Sequence, residues 1–398
     1  MAYVTRFGTR IAAAILGTLF VTAACGGSST AELSAPKGAD FYRAPDDLRE
    51  FGPGELIWAR DYDGPHAIDG AKNSLILYTQ KAHDSAKLVG VSGIVSVPEG
   101  EAPEGGWPVV SWAHGSTGMA DRCAPSRDTS GTGHTMPNEL FVETWIDKGY
   151  AVVRSDFEGL GTPGPHPYLI GPSAGRSVLG IVTAAQDLDP DVGSDVVLVG
   201  HSQGGHAALW GASMAETVRD VNIKGVVAFA PPTHLSGALD AVLGGMADAP
   251  SGIIAVVLRG LEIGHPNDVD PEAVLLPTGL EPYGRIDEAC WGEIFGPDYF
   301  GNVSIEEFGD QDADLTLFKG KLNANDPSFR TYSMPILLAQ GERDTTIPSI
   351  MTNFLAEEVE ANGNDVTYMI YPKADHNSVL LESQKVAHEF IDRALAKN

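Results

Sequence analysis

The sequence predicts an α/β protein: a mostly parallel sheet with helices on both faces. Three observations carry this. Short runs rich in Val, Ile and Leu alternate with segments whose apolar residues recur at helical spacing. In mid-chain, Val196-Val-Leu-Val199 runs straight through Gly200-His-Ser-Gln-Gly204 into His206–Ala215: strand, tight turn, helix. Finally, the motifs with reactive side chains each follow an apolar run, and the C-terminal ends of parallel strands are where such sheets gather a site.

The elements read in order as follows. Residues 67–97 form early strands, with Ser74–Thr79 and Lys87–Val97 rich in β-formers. Trp107–Ala113 is a strand that ends at His114-Gly115. Leu140–Lys148 is a helix closed by Gly149, and Tyr150–Ser155 is the next strand. Ser173–Leu188 is a helix, since Val178, Ile181, Val182 and Ala185 fall on one stripe. The strand and helix around Ser202 follow, then a strand at Ile223–Ala230. Strands at Met334–Gln340 and Val366–Tyr371 precede a closing helix, Ser378–Ala396, with Val379, Leu380, Val386 and Phe390 inward. Residues 233–332 break the rhythm. Leu235–Met246 and Ile253–Ile263 are apolar enough for helices, and the rest is rich in Gly, Pro and Asp. An insertion this long with its own helices is expected to be a cap over the site. The core is then 41–232 with 333–398.

The first residues read as a targeting segment. Arg6 and Arg10 precede a short apolar run, Ile11–Phe20, and Val21-Thr-Ala-Ala-Cys25 ends it. Residues 1–24 are expected to be a signal peptide, with Cys25 becoming a lipidated N-terminus. The alternative is ordinary cleavage after Ala24 and free secretion. Residues 25–40 are polar and rich in Gly and Ser, suited to a flexible tether. The expected location is the cell envelope, anchored at Cys25, or the exterior. A net charge of −27 repels nucleic acid and anionic headgroups. The expected partner is a small-molecule or lipid ester, with the membrane reached only through the anchor. Cys123 and Cys290 are an even pair in an exported chain and are expected to form a disulfide.

A serine hydroxyl becomes a nucleophile when a histidine takes its proton and a carboxylate orients that histidine. Ser202 sits where the strand–turn–helix would lift its hydroxyl above the sheet. Two turns further on fit the order Ser, acid, His. Asp344 follows the strand at 334–340 in Gln340-Gly-Glu-Arg-Asp344, with Glu342 as the near rival. His376 lies between the last strand and the last helix; His388, inside that helix, reads as solvated, and His201 and His206 as packing or pocket-shaping. An oxyanion needs two aimed N–H groups. Gln203 supplies one, and the loop His114-Gly-Ser-Thr-Gly118 the other, from Ser116 or else Thr117. No metal or cofactor is expected. Asp310-Gln-Asp-Ala-Asp-Leu315 opens like a calcium loop but has Leu315 at the glycine position and Lys321 at the final acidic one. No zinc spacing, dinucleotide fingerprint or P-loop is present.

His114–Gly118 with Asp121-Arg-Cys-Ala-Pro-Ser126, Asp156–Tyr168, Gly200–Gly204, Gln340–Asp344 and Asp375-His376 together resemble the secretory lipase, or lipase A-like, family of α/β-hydrolases, in a bacterial lipoprotein form. The resemblance covers residues 40–396. It implies an α/β-hydrolase core, a helical cap inserted before the acid's strand, and carboxylic ester hydrolysis without a cofactor. It carries the triad to Ser202, Asp344 and His376. The H-G loop departs from the group's fungal lipases and leans towards its bacterial esterases. Acyl transfer or peptide hydrolysis on the same fold remains an alternative reading, as does a non-catalytic solute-binding lipoprotein.

Overall fold

The computed structural model describes residues 35–129, 142–218 and 220–396. The expected signal segment and Cys25 lie outside them. Among the described residues one sheet of nine strands forms the frame: β1 (Leu56–Asp61), β2 (Ala71–Lys81), β3 (Leu88–Pro98), β4 (Trp107–Ala113), β5 (Ala151–Ser155), β6 (Val192–His201), β7 (Asn222–Phe229), β8 (Ile336–Gly341) and β9 (Val366–Tyr371). Their order is β1-β2-β3-β5-β4-β6-β7-β8-β9. The first three pairings, β1/β2, β2/β3 and β3/β5, are antiparallel. From β5 to β9 every neighbour is parallel, so these strands end along one edge.

Burial on both faces explains the unbroken apolar runs. Val196 and Leu198 of β6 and Val226 and Ala228 of β7 face α2 (Gly171–Leu188) and α3 (Gln203–Ser213). Val197, Val199, Val227 and Phe229 face the other way, onto α1 (helical over 142–146) and α11 (Val379–Leu395). Each such Val, Leu or Phe side chain contributes about 1.5–3 kcal/mol by leaving water.

Four readings change. β1 is a strand that the sequence pattern did not reveal, and so is α10 (Ser349–Ala361) a helix. α3 starts at Gln203, directly after the serine, rather than at His206. His388 is half-buried rather than solvated: its Nε2 lies 3.1 Å from Thr144 Oγ1 of α1.

Between β7 and β8 lie α4 (Leu235–Leu243), α5 (Ser251–Gly264), α6 (Pro277–Tyr283), α7 (Trp291–Ile294), α8 (Ile305–Phe308) and α9 (Thr316–Ala324). Their apolar faces share a separate cluster with Met119, Tyr168, Leu169 and Ile170 of the core. Asp326 ties both ends of this insertion together, accepting from Thr233 Oγ1 at 2.8 Å, from the His234 N–H and from the Ser328 N–H at 2.9 Å.

A disulfide joins Cys123 to Cys290. Around it the Met119 N–H donates to the Ala289 carbonyl and the Trp291 N–H to the Thr117 carbonyl, at 2.9 and 2.8 Å. The cross-link closes a loop with a sequence separation of 167 residues, a large restriction on the unfolded chain. The double variant Cys123→Ser, Cys290→Ser is expected to lose about 2–4 kcal/mol of stability. Urea unfolding under non-reducing conditions checks this; an unchanged midpoint would rule it out.

Candidate active site

The site is assembled where β4, β6, β8 and β9 end. Ser202 follows β6 with φ +56° and ψ −123°, a conformation that costs an L-residue about 1–3 kcal/mol. The glycines on either side make the turn possible. A Cβ on Gly200 would lie 2.1 Å from the Gly204 carbonyl oxygen, and one on Gly204 would lie 1.9 Å from that of Ala113. The Ser202 N–H is satisfied by the Phe229 carbonyl of the neighbouring strand at 2.9 Å. The serine thus stands at the N-terminus of α3, with only 8 % of its surface exposed.

Asp344 and His376 are brought together from the loops after β8 and β9. His376 Nδ1–H donates to Asp344 Oδ2 at 2.7 Å. The same carboxylate oxygen accepts from Gln340 Nε2 at 2.9 Å, and Oδ1 accepts from the N–H groups of Thr346 and Ile347, each at 2.8 Å. Four donors hold this buried carboxylate in a fixed orientation. Glu342, the rival acid, is exposed to solvent. Ser116, His201, Ser202, Trp291, Thr346 and His376 are among the residues lining one cavity of about 210 Å³. Ser116 therefore shares the cavity with Ser202, whereas Thr117 is buried and does not line it.

Supporting hydrogen bonds appear that the sequence pattern did not reveal, although it read His201 as packing or pocket-shaping. His201 donates from Nε2 to the backbone carbonyl of His376 at 2.7 Å, and the two rings lie 4.7 Å apart. His201 therefore pins the loop that carries His376. Gln203 donates from its side chain to His166 Nε2 at 2.9 Å, while His166 Nδ1–H donates to the Glu158 carbonyl at 2.7 Å. Gln340 is itself fixed by Thr352 Oγ1 of α10 at 2.7 Å. No local signal could have found the partners of His201 and Gln203, because those bonds join residues 175 and 37 positions apart. Among the described residues no group of three or more His, Cys, Asp or Glu is placed to hold a metal ion.

Burial pushes the pKa values of His166, His201 and His206 down from the ordinary 6.5, to about 4, 3 and 4. Between those values and 6.5 the unfolded chain binds protons that the folded one does not. Stability is therefore full above about pH 6.5 and is lost as the pH falls towards 4, by up to about 1.4 kcal/mol per pH unit for each histidine. His83 opposes this: burial lowers it, but the hydrogen bond and charge of Glu158 outweigh that and raise it. The urea midpoint is expected to drop between pH 7 and pH 5; a flat profile would contradict this account.

Residues 126–269 match the family model described as secretory lipase. The chain is 26% identical over 249 residues to a lipase A of Moesziomyces aphidis, a match covering 60% of this chain and 51% of that protein. It thus spans about half the length of that relative. Among solved structures it is similar to lipase A of Candida antarctica, with a TM-score of 0.73 at 20% identity, covering 92% of this chain and 88% of that one. It is also similar to the rice cell wall degrading esterase LipA of Xanthomonas oryzae, with a TM-score of 0.69 at 19% identity, covering 87% and 99%. Both likenesses place the fold among the α/β-hydrolases.

Proposed function

We propose, on the premise that this chain is a relative of the secretory lipases with an α/β-hydrolase fold, that it is a serine carboxylic ester hydrolase working through an acyl-enzyme. Ser202 attacks the ester carbonyl as His376 takes its proton, and Asp344 holds the imidazole in the tautomer this needs. The oxyanion is stabilised by the N–H groups of Gln203 and Ser116. His376 then protonates the leaving alcohol, and water releases the acyl group by the same route. We assign residues 233–332 as the cap, and place the enzyme outside the cytoplasm, anchored through Cys25 or released.

The observation that carries this reading is that Ser202 and His376 line one cavity while His376 Nδ1 lies 2.7 Å from the buried Asp344. A binding protein has no need of a strained serine beside such a pair. The cavity, about 210 Å³, is smaller than the roughly 300–1,000 Å³ that drug-sized ligands occupy, which favours short acyl chains. A p-nitrophenyl ester series from acetate to palmitate is expected to peak at the short end. A peak at palmitate would overturn the short-chain assignment. Inactivity across the series would overturn the ester-hydrolase reading itself.

A further inference from the structure

We propose that the side-chain hydroxyl of Ser116 is a third donor to the oxyanion and that the buried Tyr168 holds it in the donating orientation; this rests on the ester-hydrolase reading above. Ser116 lines the same cavity as Ser202. Its Oγ lies 2.7 Å from the Tyr168 hydroxyl. Two hydroxyls joined this way share one hydrogen and leave the other free, so the direction of the bond decides what Ser116 can do.

The surroundings set that direction. Tyr168 is only 5% exposed, and burial pushes its pKa up to about 12, so it keeps its proton. Among the described residues, the hydrogen bond recorded for its hydroxyl is the one to Ser116. A buried phenol that gave its hydrogen to nothing would carry the full cost of its desolvation. Tyr168 therefore donates to Ser116 Oγ, and the Ser116 hydrogen is left to turn into the cavity. There the carbonyl oxygen gains negative charge only as Ser202 attacks. A donor placed to meet that charge lowers the barrier rather than tightening substrate binding.

Tyr168 is built to stay in place. Its ring stacks at 6.4 Å on Trp291, another wall of the cavity. A Cβ on Gly260 of α5 would lie 2.0 Å from the Tyr168 carbonyl oxygen, so the helix is seated on this backbone. The next residue, Leu169, has φ +56°, a left-handed conformation that a leucine keeps only where its neighbours impose it. Ser116 is thus oriented before substrate arrives and needs no reorganisation during attack. Ser116 would be a catalytic residue through its side chain as well as its backbone, and Tyr168 a positioning residue.

Ser116→Ala keeps the backbone N–H and removes the hydroxyl alone. Its kcat on a short p-nitrophenyl ester is expected to fall about 100-fold, with KM changed by less than roughly twofold. Tyr168→Phe is expected to cost about fivefold, the loss of one orienting hydrogen bond. The double variant should be no slower than Ser116→Ala, because Tyr168 acts only through that hydroxyl. Ser116→Thr, which restores a hydroxyl, should regain most of the loss. Endpoint labelling of Ser202 with a fluorophosphonate, read by intact mass, accompanies each variant. A wild-type protein that is neither labelled nor active on esters would overturn the ester-hydrolase reading. A labelled, active wild type with Ser116→Ala within roughly twofold of it would overturn the third donor alone. Equal losses from Tyr168→Phe in the wild-type and Ser116→Ala backgrounds would overturn the positioning role.

Discussion

Ser202→Ala is expected to lower kcat about 10⁶-fold, the scale seen when a triad nucleophile is removed. In the proposed mechanism no other side chain forms the acyl ester. Gln203 and Ser116 stabilise the charge that the serine's attack creates, and without that attack only the slow reaction of water is left for them to assist. The substitution removes one oxygen without adding volume, so the tight passage between Gly200 and Gly204 is undisturbed. Thermal unfolding should therefore be close to that of the wild type. Initial rates on a p-nitrophenyl ester, with fluorophosphonate labelling alongside, give the answer. An active or labelled Ser202→Ala variant would mean that another residue is the nucleophile.

Asp344→Asn is expected to lower kcat about 10⁴-fold, through the histidine tautomer rather than the lost charge alone. The carboxylate meets four donors: the N–H groups of Thr346 and Ile347 on Oδ1, and Gln340 Nε2 and His376 Nδ1 on Oδ2. An asparagine can keep its carbonyl towards the two backbone donors. Its amide nitrogen then faces Gln340 and His376, setting donor against donor. His376 relieves the clash by moving its proton to Nε2, and so loses the acceptor that a general base needs. Glu342, exposed to solvent, is in no position to substitute. The measurement is kcat for Asp344→Asn beside Glu342→Gln. A loss confined to Glu342→Gln would transfer the role to that residue.

Much of the scaffold was legible because its signals are local. β4, β6, β7 and β8 are largely buried on both faces, so each carries a run of apolar residues with few interruptions. β1 was not legible: Leu56–Asp61 is short, ends in charged residues and pairs only with β2 at the sheet's edge. α10 was hidden for a different reason. Ile350 and Phe354 are exposed while Met351, Leu355 and Val359 are buried, which blurs the apolar stripe. His388 misled because its partner, Thr144, lies 244 residues earlier.

The sequence by itself determined the α/β alternation, the turn that needs glycine at 200 and 204, and the order in which Ser202, Asp344 and His376 each follow a strand. All of these depend on residues that are neighbours in the chain, where periodicity and steric limits act directly. The tertiary structure alone decided that Asp344 rather than Glu342 meets His376, that His201 pins the His376 loop, and that Ser116 and not Thr117 shares the cavity with Ser202. It also decided that Tyr168 reaches Ser116 and that Trp291, from the inserted segment, walls the same cavity. Asp344 against Glu342 and Ser116 against Thr117 are choices between side chains with the same chemistry a residue or two apart, and the other contacts join segments far apart in the chain. Only packing between distant segments sets which of them points inward and which hydrogen-bond partner it finds there.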